Sequence, residues 1–82
     1  MNKYKNKIVD FLNKNGWEMT LLEDEYETYE KENNISIAIS EDEIVLIGEE
    51  GDFAHIILNE MTFYYLIGFL FHYRYISINY KV

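Results

Sequence analysis

The sequence predicts an α+β domain: a small antiparallel sheet of about five or six strands with two helices packed on one face, in the order αβββββαβ. Three observations lead there. Two segments, one near the start and one after Asn59, have the apolar content of core-facing helices. The stretch between them holds short runs in which apolar and polar residues alternate, the period of a half-buried strand. Asn, Gly and acidic pairs punctuate those runs at short intervals, as turns require. With 82 residues, the chain is expected to be one domain over 1–82.

Tyr4, Ile8, Phe11 and Leu12 recur at helical spacing, and Asn15-Gly16 supplies residues that accept a left-handed C-terminal cap. Asn2 to Asn15 therefore reads as an amphipathic helix. Lys3, Lys7 and Lys14 lie on its polar side, with Asp10 placed to pair with Lys7 and Lys14. Trp17, Met19 and Leu21 alternate with Glu18 and Thr20 and predict a half-buried strand. Glu23-Asp24-Glu25 turns the chain into a second, more exposed strand over Tyr26 to Lys31.

Asn33-Asn34 is the next turn, because Asn tolerates positive φ. Ile35, Ile37 and Ile39 then alternate with Ser36, Ala38 and Ser40. After a turn at Glu41-Asp42, Ile44 to Ile47 is apolar on both faces and predicts a central strand. Gly48 to Asp52 reads as a loop, and Phe53 to Leu58 as another strand. Asn59 and Glu60 suit a helix N-terminus, by capping and by favouring the helix dipole. Met61 to Phe71 follows as the helix. Tyr73 to Val82 returns to alternation, with Ile76, Ile78, Tyr80 and Val82 on one face of a last strand.

Composition narrows the function classes. There is no cysteine, which removes disulfides and thiolate chemistry and fits a cytoplasmic protein. Met61 to Tyr73 is strongly apolar but only thirteen residues long, against roughly 20 for a bilayer span. No membrane partner is expected. Eight Tyr, five Phe and one Trp exclude a disordered acidic tail.

The residues for catalysis are sparse, and no enzyme is expected. His55 and His72 each stand alone in an apolar segment, where a histidine is ordinarily structural. No Ser or Thr lies in a nucleophile motif. Gly48 and Gly51 are surrounded by acids that would repel phosphate. Glu49, Glu50 and Asp52 lack the spacing of a calcium-binding loop, so neither a metal nor a cofactor is expected.

Charge is the strongest functional signal. Trp17 to Glu60 holds fourteen acids and one base, Lys31, for a local charge of −13; the flanks are +3 and +2. Direct nucleic-acid binding needs a basic patch and is disfavoured. The expectation is a negative surface for a basic protein partner, such as a nuclease or another nucleic-acid-binding protein. Its residues would be Glu23, Asp24, Glu25, Tyr26, Glu27, Tyr29 and Glu30, with Glu49, Glu50 and Asp52 in second place. Carboxylates on a rigid sheet would stand in for phosphates, and the tyrosines would add contact area. Acids that serve only solubility, or that keep an exposed strand from pairing with other chains, are the alternative.

In size, acidity and lack of cysteine the chain is similar to phage-encoded inhibitors of host nucleases, anti-CRISPR proteins among them. The likeness lies in composition, with no shared motif. Two further roles fit the same residues. One is an immunity or antitoxin protein that blocks a basic toxin. The other is a homodimer through the second helix, where Phe63, Tyr64, Leu66, Ile67, Phe69, Leu70 and Phe71 exceed what one side of a small sheet covers.

Overall fold

The computed structural model describes residues 3–76. It contains α1 (Lys3–Lys14), β1 (Glu18–Glu23), β2 (Tyr26–Glu30), β3 (Ser36–Ile39), β4 (Glu43–Gly48), β5 (Gly51–Ile57) and α2 (Glu60–His72). The strands form one antiparallel meander in the order β1-β2-β3-β4-β5.

Local chemistry sets the ends of these elements. The Trp17 amide donates to the Leu12 carbonyl at 2.9 Å and the Gly16 amide to Asn13 at 3.3 Å, with Gly16 at φ 87°. This pairing satisfies the free carbonyls at the end of α1 and needs glycine's tolerance of positive φ. Asn59 accepts from the Thr62 amide, and the Thr62 hydroxyl accepts from the Asn59 amide, so two free donors at the start of α2 are satisfied reciprocally. Two-residue turns at Asp24-Glu25 and Glu49-Glu50 close the first and last hairpins, with positive φ at Asp24 and Gly51.

The register assigns the two sheet faces. Tyr29 stands opposite Ile37, Ile37 opposite Leu46, and Ile39 opposite Ile44. These five residues, with Ala54 and Ile56 packed against them, share one face. Their side chains join Ile8, Phe11 and Leu12 of α1 and Phe63, Leu66 and Leu70 of α2 in a single buried cluster. This side of the sheet is the helix face. Phe63 links the helices, with its ring 5.3 Å from Tyr4 and 6.4 Å from Phe11.

Several expectations change. The half-buried first strand is exposed at every residue, because β1 is a sheet edge and only Trp17, just before it, enters the core. The second strand is less exposed than the first, since β2 lies inside the sheet and turns Tyr29 inward. The Gly48 to Asp52 loop contracts to a two-residue turn, with Gly51 and Asp52 already paired to β4. Tyr73 to Ile76, expected to begin a strand, form a turn and a bend. Ile78, Tyr80 and Val82 lie outside the described residues. Among the described residues no helix is long and apolar enough to cross a membrane.

Candidate functional site

The expected acidic surface is divided among three places. Glu23, Asp24 and Glu25 form the tip of the β1–β2 hairpin, at the same end of the meander as Glu41 and Asp42. Glu49 and Glu50 form the β4–β5 tip at the opposite end, with Glu32. Tyr26, Glu30 and Asp52 belong to the open face, the one turned away from the helices, and Glu23, paired with Tyr26, is on that face as well.

Glu27 and Tyr29 belong elsewhere. Both are on the helix face, where Tyr29 is buried and Glu27 pairs with Lys5 of α1 at 2.8 Å. The Tyr29 hydroxyl donates to the same carboxylate at 2.9 Å. These two residues hold α1 to the sheet and are withdrawn from the exposed surface. The alternation of β2 contains this signal: residues 27 and 29 share one face, and Tyr26, Thr28 and Glu30 the other.

The trio makes stability depend on pH at both ends. The Lys5 ammonium holds the Glu27 carboxyl below its ordinary range, against the opposing effect of burial, with help from the Tyr29 hydroxyl. Its contribution is present above the unfolded pKa and is lost as pH falls through the lower, folded one. Burial, then the bond to Glu27, pushes the Tyr29 phenol from 10.0 up to about 12. That contribution is complete below the unfolded value and is lost as pH rises from 10.0 to about 12. Thermal unfolding across pH should show both limbs. Tyr29→Phe should shrink the alkaline limb and leave an acid limb; an unaltered alkaline limb would remove Tyr29 from this account.

The open face carries a second group of polar side chains. The Tyr26 hydroxyl on β2 reaches past β3 to donate to a carboxylate oxygen of Glu43 on β4. The other Glu43 oxygen lies 3.4 Å from His55 Nδ1 on β5, and His55 Nε2 lies 3.5 Å from Asp52. The bond from Tyr26 holds the Glu43 carboxyl below its ordinary range, and the same bond raises the Tyr26 phenol. Between Tyr26, Asp52 and His55 lies a shallow hollow of about 280 Å³ floored by Ala38, Val45 and Ile47. Glu30 continues the acidic surface, accepting from Thr20 and, at 3.3 Å, from Ser36.

The expectation of a merely structural His55 missed this group, although the alternation of β4 and β5 places Glu43 and His55 on one face. Val45 pairs with His55, and Ile47 with Asp52. The wide spacing of these residues along the chain concealed their proximity. Chemically, the hollow offers an apolar floor and a carboxylate rim. It has no serine, threonine or cysteine nucleophile in its lining. Among the described residues no group of His, Asp and Glu is arranged to hold a metal ion.

The helix residues expected at a dimer interface also divide. Phe63, Leu66 and Leu70 are core residues, Ile67 and Phe69 are half-buried, and Tyr64 and Phe71 are exposed. No family model matches the chain, and no curated protein or solved structure is significantly similar to it.

Proposed function

We propose that this chain is a non-enzymatic, cytoplasmic protein-binding domain that docks its open sheet face on a basic partner. In its most concrete form it is an inhibitor that occupies the nucleic-acid-binding groove of a nuclease. One observation carries the reading: the open face carries acids and no Lys or Arg. No Lys or Arg occurs in any of the five strands. The open face presents Glu23, Glu30, Glu43 and Asp52 around Tyr26 and His55. Lys3, Lys5, Lys7 and Lys14 are on α1, which packs against the other side.

The hollow fits the aliphatic stem of an arginine or lysine. Ala38, Val45 and Ile47 would contact the methylenes while Glu43 and Asp52 meet the cationic head. Carboxylates held on a sheet need little ordering on binding, and their summed field speeds encounter with a positive groove.

The test is capture from host lysate at low and high salt, with the wild-type chain and with Glu23→Lys/Glu30→Lys/Asp52→Lys as baits. All three side chains are exposed, so the variant should stay folded, as circular dichroism would check. The expected result is a basic nucleic-acid-binding protein that elutes as salt rises and is displaced by nucleic acid. The reversed variant should bind it at least about tenfold more weakly. Equal capture by the folded variant would remove the open face from the interaction.

A further inference from the structure

We propose that a second copy of this chain packs against the outward face of α2, in an antiparallel pair of α2 helices related by a two-fold axis. Met61, Tyr64, Tyr65, Gly68, Phe71 and His72 recur at the spacing of one helix stripe and are all exposed, Met61 at 81% and Tyr65 at 73%. The stripe holds no Lys, Arg, Asp or Glu.

Three features favour a copy of the chain over other occupants. The first is shape. A Cβ at Gly68 would meet nothing within 4 Å, and hollows lie beside it, one of about 480 Å³ lined in part by Tyr64, Tyr65 and Tyr73. Tyr65, one turn earlier, is the most exposed aromatic of the helix. A two-fold axis between Leu66 and Ile67 sets each Tyr65 against Gly68 of the second copy, a knob against a notch repeated by symmetry.

The second is charge. The chain carries −8 overall, so two copies repel across the sheet. The α2 stripe is neutral, and the same axis brings Glu60 at one end of the helix toward Tyr73 and Arg74 of the second copy. A membrane surface is a poorer match, because interfacial helices carry Lys and Arg along their polar face and α2 has neither.

The third is area. At about 150–250 Å² per aromatic side chain, the exposed parts of Met61, Tyr64, Tyr65, Phe71 and Tyr73 amount to roughly 500 Å² per copy. The total of about 1,000 Å² is at the threshold for a biological interface and below the standard size, in the range of weak, transient contacts. The pair is therefore expected to be reversible, and it leaves the open sheet face free for a partner.

Sedimentation equilibrium from micromolar to sub-millimolar concentration tests this directly. The wild-type chain should show a concentration-dependent monomer–dimer equilibrium. Tyr65→Glu, exposed and so compatible with the fold, should weaken it by about a hundredfold, as loss of a central aromatic contact does. Glu60→Arg should weaken it, and Glu60→Arg with Arg74→Glu should restore it. A wild-type monomer at every concentration overturns the proposal, whether residues 77–82 of the same chain cover the stripe or leave it bare. A Tyr65→Glu variant as dimeric as the wild type, or a charge swap without rescue, overturns it too.

Discussion

Replacing Phe63 with alanine is expected to cost about 3–5 kcal/mol and to bring the domain close to its unfolding threshold. Phe63 is fully buried, and its ring touches Tyr4 and Phe11 of α1. The Lys7 ammonium lies 5.7 Å from the ring centroid, a further attraction that alanine would lose. The cavity left would lie where the two helices meet, among side chains of different elements that cannot collapse inward together. A chain of this length has only about 4–12 kcal/mol of total stability, so most of the margin would go. Urea unfolding measures it. Tyr65→Ala on the outward face of the same helix is the control and should change stability by no more than about 0.5 kcal/mol in the monomer. Equal costs at the two positions would contradict the packing of α1 on α2.

The second large effect is expected at Trp17. Trp17→Ala should cost about 3–5 kcal/mol, because the indole is buried among residues of both layers. Trp17→Phe isolates another contribution. The indole Nε1–H donates to the Tyr75 carbonyl at 3.0 Å and ties the chain after α2 to the start of β1. Phenylalanine keeps most of the apolar volume and leaves that carbonyl without its partner, for a cost of about 1–3 kcal/mol. Amide exchange at Tyr73, Arg74 and Tyr75 should quicken in Trp17→Phe beyond what global stability explains. Their amides bond to Phe69, Phe71 and Leu70 at the end of α2, so loosening this turn exposes them. Trp17 is the single tryptophan, and its fluorescence should report the unfolding of the wild type directly. Exchange that follows global stability alone would show that the indole bond does not anchor the turn.

Residues close in sequence were legible because their chemistry is local. The cap at Asn15-Gly16, the Asn59 start of α2 and the alternation of Ile37 and Ile39 each depend on groups within a few positions of one another. Alternation misleads where burial depends on position in the sheet. Met19 and Leu21 have the pattern of a half-buried strand, yet β1 is an edge that the helices do not cover. Tyr26 and Tyr29 look alike in the sequence, but an odd separation sends one to the open face and the other to the core. The candidate site was the least legible part. Tyr26, Glu43 and His55 come from three strands, and their proximity exists only once the meander is closed.

By itself, the sequence determined the class of fold, the run of strands between two helices, and the concentration of acid in the stretch that holds those strands and their turns. These follow from hydrophobic period, turn chemistry and composition, which neighbouring residues carry. Only the tertiary structure decided which acids share a face, which tyrosine is withdrawn into the core, and which side of α2 is turned away from the sheet. Those outcomes depend on strand order and on the helices covering one face of the sheet, and both arise from contacts between residues far apart in the chain.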